Sequence, residues 1–160
     1  MRGRVLPGFI FGLLFGIVAV GAAMVYLGPQ LMINERVSPF GLDETVQKIT
    51  DNAKAGGWVV SSVIPIDESV RAHGGGEVPP TRLVNICQAE YATQLLKSDD
   101  TRFLSVMMPC TIAVYEKSDG KTYVATMNAG IIGRMFRGVV AEVMSGPVAQ
   151  DQAKFTDFLQ

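Results

Sequence analysis

Between Val5 and Asn34 the sequence has no charged residue at all. Elsewhere it is poor in the residues that carry chemistry, with one His, two Cys and one Trp in 160 residues. A single His excludes every multi-histidine metal site and most catalytic dyads. Two Cys exclude a four-cysteine zinc site and a disulfide-dense scaffold. With 14 Lys+Arg against 15 Asp+Glu there is no basic excess to hold nucleic acid. His73-Gly74-Gly75-Gly76 spells the oxyanion-hole motif of some lipases, but no second His is present to act as base and no Gly-x-Ser-x-Gly elbow occurs. No Lys-Ser/Thr follows these glycines, so they are not a phosphate loop either.

What is there divides unevenly. Leu6 to Leu27 is an unbroken apolar run of 22 residues, which as a helix is about 33 Å long and matches a hydrocarbon core of about 30 Å. Pro7 suits a first helical turn, and Gly28-Pro29 is expected to end the helix. Arg2 and Arg4 precede the run, whereas Glu35 and Arg36 nearly cancel after it. The positive-inside rule then puts the N-terminus in the cytoplasm and the remainder outside. Gly21-Ala22-Ala23 also fits a signal-peptidase site, but the apolar run continues past it through Leu27, so an anchor is preferred to a cleaved signal. Gly8, Gly12 and Gly16 lie four apart, a stripe of small residues that lets membrane helices pack closely, against a second copy or another membrane protein.

Beyond residue 34, 126 residues carry 12 Lys+Arg and 15 Asp+Glu, the balance of a mildly acidic soluble domain. The organisation read from the chain is an anchor over 1–34 (transmembrane about 6–27), a domain over 35–148 and a C-terminal tail or short helix over 149–160.

Arg36 to Phe40 reads as extended, and Leu42, Val46, Ile49 and Ala53 give a helix one apolar face before Gly56-Gly57 stops it. Trp58 to Pro65 is rich in β-branched residues and reads as a strand, Thr81 to Cys87 as a second. Gln88 to Lys97 is a helix. Thr111–Glu116 and Lys121–Met127 form a hairpin across Asp119-Gly120. Asn128 caps further helical turns. Strands in runs broken by helices predict an α+β fold, an antiparallel sheet with helices on one face. Asp67-Glu68 and Asp99-Asp100 read as solvated loop carboxylates. Arg134 and Arg137, beside Met135 and Phe136, read as surface residues able to meet lipid headgroups or an anionic ligand.

Three stretches carry a resemblance: Leu83-Val84-Asn85-Ile86-Cys87, Met108-Pro109-Cys110-Thr111-Ile112-Ala113-Val114-Tyr115-Glu116 and Asp119-Gly120-Lys121 through Asn128. Together with Ser38-Pro39-Phe40 and Gly56-Gly57-Trp58, they resemble domain-of-unknown-function family 302 over about residues 36–145. The resemblance implies a TATA-binding-protein-like α+β sandwich, often dimeric, and supplies no reaction. Many relatives follow the first cysteine with Asn-Pro, where this chain has Gln88-Ala89.

Cys87 closes one strand and Cys110 opens another. Three readings of the pair stay open. They are two buried thiols packed as small hydrophobes, a disulfide in an oxidising compartment, or a soft-ligand site with Met107, Met108 or Met127 for copper in its monovalent state. No cofactor is required by the sequence and no catalytic constellation emerges. The expected protein is a single-pass protein of the bacterial inner membrane with a periplasmic domain, a binding or accessory module rather than an enzyme, with thiol redox or copper handling as the alternative.

Overall fold

The computed structural model describes the backbone of residues 5–160 and the side chains of residues 11–160. Helix α1 (Val5–Met32) contains the apolar run. Within it Phe11–Met32 is long and apolar enough to cross a membrane. The expected stop at Gly28-Pro29 does not occur: α1 continues through Pro29 to Met32. A proline removes its own helical hydrogen bond, and Gln30, Leu31 and Met32 are good helix formers that carry the turn onward. Arg2 and Arg4 lie outside the described residues.

The chain then passes directly into β1 (Ile33–Val37), followed by α2 (Leu42–Ala55), β2 (Val59–Pro65), α3 (Ile66–Ala72), β3 (Thr81–Cys87) and α4 (Ala89–Leu96). A 3₁₀ turn (Arg102–Met107) leads to β4 (Cys110–Glu116) and β5 (Thr122–Met127). Short helices α5 (Ala129–Arg134), α6 (Val139–Val143) and α7 (Ala149–Phe155) complete the chain. Gly57, at φ +80°, adopts the left-handed conformation that turns the chain from α2 toward β2.

The five strands form one antiparallel sheet in the order β1-β5-β4-β3-β2. Alternation decides its two faces. Val84 and Ile86, Ile112 and Val114, and Val124 are fully buried under Leu42, Ile49 and Ala53 of α2 and under Val140, Val143, Val148 and Phe155 of the C-terminal helices. Leu83, Asn85, Ala113, Tyr115, Tyr123 and Ala125 point to the other face and are half-buried. Helices therefore cover one side of an α+β sheet, as the strand and helix pattern predicts.

Residues at both edges of the expected domain belong to this unit. Ile33 and Asn34 are the first rungs of the β1–β5 ladder. Phe155 is 1% exposed, and Gln160 exchanges backbone hydrogen bonds with Val37 at 3.0 and 3.3 Å. Arg36 Nη2 donates to the Thr156 carbonyl at 2.8 Å. Residues 149–160 thus close the core.

Candidate functional site

The ladder registers bring five strand ends together. Ile33 pairs with Met127, Thr126 with Ile112, Cys110 with Ile86, and Cys87 with Val59. One end of the sheet therefore holds the exit of α1, both cysteines and the start of α5. The β4–β5 turn at Lys117–Gly120 and the loop over 73–80 lie at the opposite end.

At the α1 end a cavity of about 40 Å³ opens between β3, β4, α4 and the 3₁₀ turn, with Cys87, Cys110, Met107 and Met108 all on its wall. That volume admits a few heavy atoms. Each wall residue arrives for a local reason. The strands end at the two cysteines, and the Met108-Pro109 peptide, which is cis, delivers the chain into β4. Gln88 turns β3 into α4 by accepting the Tyr91 N–H at 2.9 Å, so the turn where many relatives carry Asn-Pro is here a helix cap. Leu104 anchors the 3₁₀ turn at 3% exposure.

The chemistry of the wall is soft and uncharged. Cys87 and Cys110 are free thiols. Burial, and the neighbouring Cys87 thiol, push Cys110 up to about 11, so it is protonated at neutral pH. No Lys, Arg or His stands on the wall to lower a thiol pKa. Behind the cavity, Trp58 Nε1 and the Tyr91 hydroxyl both donate to Asp151 Oδ2, at 3.1 and 3.3 Å, and Lys154 pairs with the other oxygen at 2.9 Å. Burial works to raise Asp151, but the hydrogen bonds from Lys154 and Trp58 overcome it and hold the carboxyl below the usual range. This pins α7 to the cavity wall.

Of the sequence-derived candidates, the structure unites Cys87, Cys110, Met107 and Met108. Met127 sits off the cavity, paired with Ile33. Among the described residues, no group of three or more His, Cys, Asp or Glu is placed to hold a metal. Gly12 and Gly16 face open space on α1, and the surroundings of Gly8 lie outside the described residues. His73 is exposed, its Nδ1 2.8 Å from the Ser69 carbonyl oxygen, far along the sheet from the cysteines.

Two arrangements escaped sequence reasoning. Asp67, expected at a solvated surface, is 6% exposed and pairs with Arg82 at 2.5 Å, with Glu68 on the same guanidinium at 3.3 Å. On the open sheet face, Glu35 accepts from the Tyr115 hydroxyl and from Lys117 Nζ, the latter at 2.6 Å. Lys117 lies 3.9 Å over the Tyr123 ring, which stacks on Tyr115. Hydrogen bonds from Lys117 and Tyr115 hold Glu35 below the usual carboxylate range. The Asp119-Gly120 turn sets Tyr115 opposite Tyr123, a signal present in the sequence; the Glu35 partnership depends on β1 joining β5 and is not.

The model of the family described as domain of unknown function DUF302 matches residues 34–156. The crystal structure of an uncharacterized conserved DUF302 protein from Bacillus stearothermophilus is similar, with a TM-score of 0.69 at 16% identity over 81% of this chain and 98% of that one. At that identity the likeness concerns the fold. No curated protein matches the chain.

Proposed function

The chain belongs to the DUF302 family, and we propose that this member is a membrane-tethered binding module whose working end is the end of the sheet nearest the anchor. In this reading α1 spans the inner membrane of a bacterium, with Arg2 and Arg4 on the cytoplasmic side and the DUF302 domain in the periplasm. One observation carries it: the ladder registers place the cavity lined by Cys87 and Cys110 at the same end of the sheet as the exit of α1. The cavity wall is apolar and its Cys110 thiol is protonated, which suits holding a small apolar group presented by a membrane partner and not proton or acyl transfer. The test is a photo-crosslinking residue in place of Val59, exposed at this end, in the full chain in native membranes. Adducts with a carbonate-resistant membrane protein are expected, and none from the same residue in place of Ser118 on the far hairpin. No adduct at Val59, or the same adducts from both positions, overturns the reading.

Cys87, Cys110, Met107 and Met108 all line one cavity, which favours a second reading, a site for monovalent copper. A cysteine would lose its proton on binding, and one thiolate with thioether ligands balances the single positive charge. The full chain would then retain one equivalent of Cu(I) against a competing chelator, and Cys87→Ser and Cys110→Ser would each lose it. No retention by the unaltered chain removes this reading.

A further inference from the structure

Among the described residues outside α1, five large apolar ones are at least half exposed: Ile33 at 50%, Val59 at 61%, Phe103 at 60%, Val106 at 85% and Met135 at 70%. All five sit at or beside the α1 end of the sheet. Ile33 follows Met32 directly, and Val59 pairs with Cys87. Phe103 and Val106 are three apart on the 3₁₀ turn, the spacing at which side chains eclipse on one face. That turn runs into Met108-Pro109-Cys110. Phe103 lies 6.3 Å, centroid to centroid, from Phe136, the residue after Met135, so the 3₁₀ turn and the end of α5 form one surface. α5 itself is tied to the anchor, because the Asn128 N–H donates to the Met32 carbonyl at 2.8 Å. Arg134 and Arg137 flank Met135, are exposed, and enter no ion pair among the described residues.

We infer that this end of the domain docks on the surface of the same bilayer that α1 enters, with Phe103, Val106 and Met135 in the headgroup–acyl boundary and Arg134 and Arg137 on anionic lipid phosphates. An apolar tip fringed by unpaired arginines is the composition that binds anionic interfaces. The tether makes the contact intramolecular, so weak individual contacts suffice to orient the domain. The inference rests on α1 being a membrane anchor.

The test uses the full chain in nanodiscs of dibrominated phosphatidylcholine with phosphatidylglycerol, which hold lipid and no other protein. Val106→Trp and Met135→Trp serve as reporters and Ser118→Trp as the distal control, with Trp58, 4% exposed in the core, reporting the fold in every variant. Both reporters are expected to be quenched at least threefold more than the control. Replacing Arg134 and Arg137 by Ala in the Val106→Trp chain, or omitting phosphatidylglycerol, is expected to reduce that quenching. Quenching at both reporters no greater than at the control, in chains that co-purify with the discs, overturns docking and leaves the anchor standing. A chain that does not enter the discs overturns both.

Discussion

Asn128 and Met32 are joined backbone to backbone, the Asn128 N–H donating to the Met32 carbonyl at 2.8 Å. The bond continues the β1–β5 ladder by one rung beyond Ile33 and Met127 and reaches into the last turn of α1. It therefore fixes which end of the sheet the apolar helix leaves from. The cysteine cavity, the exposed apolar tip and α5 all share that end, and the functional reading follows from this placement.

The helical layer beneath the sheet is tight at one glycine and loose at another. A Cβ on Gly133 would lie 2.7 Å from the Ser145 backbone nitrogen and 2.8 Å from Met144 Cβ, whereas one on Gly130 would meet nothing closer than Asn128 Oδ1 at 3.5 Å. Gly133→Ala is expected to destabilise by about 1–3 kcal/mol, because backbone must move. Gly130→Ala is expected to stabilise by about 0.5 kcal/mol through the unfolded chain. Urea denaturation of the full chain in detergent reads both, and shifts of the same sign contradict the packing described here.

Asp67 gives the fold a dependence on acid. Burial acts to raise its carboxyl, but the Thr81 N–H at 3.3 Å, neighbouring backbone amides and Arg82 hold it below the usual aspartate value. A depressed carboxylate contributes stability above its unfolded pKa, and that contribution is lost as pH falls through the folded value. The urea midpoint of the native chain is therefore expected to fall between pH 5 and pH 3 by more than that of Asp67→Asn, which starts lower at neutral pH. Equal falls would show that the Asp67–Arg82 pair is not the titrating element.

Much of the DUF302 domain is legible because local pattern and tertiary environment agree. The β-branched run from Trp58, the Asp119-Gly120 turn and the apolar face of α2 each specify their element with neighbours close in sequence. The missed features depend on partners far along the chain. Ile33–Val37 reads Ile-Asn-Glu-Arg-Val and lacks an apolar face of its own; it is a strand because β5 offers an edge 90 residues later. Asp67 looked solvated because Arg82 lies beyond a glycine-rich loop. The C-terminal segment reads as a tail or short helix, and its part in the core does not show in the sequence because Phe155 finds its burial against Trp58 and Gly56. The places of Cys87 and Cys110 at strand ends allow them to be neighbours, and the β3–β4 register, which pairs Cys110 with Ile86, sets them one residue apart along the sheet.

Cys110 is expected to behave as a protected thiol. With its pKa pushed up to about 11 by burial and by Cys87, its thiolate fraction at pH 8 is roughly two orders of magnitude below that of an ordinary cysteine. Iodoacetamide should modify it about a hundredfold more slowly than free cysteine, with the rate rising toward pH 11, as followed by mass spectrometry of the 88–117 region. A rate within tenfold of free cysteine at pH 8 would contradict a buried, protonated thiol.

The tether itself is tested most directly by the intact mass of the protein recovered from membranes washed with alkaline carbonate. The account predicts that the chain stays in the pellet with a mass that includes residues 6–27. A carbonate-soluble species whose mass corresponds to a chain beginning near Met24 would contradict it, showing that the apolar segment is a signal removed on export and that the domain works untethered.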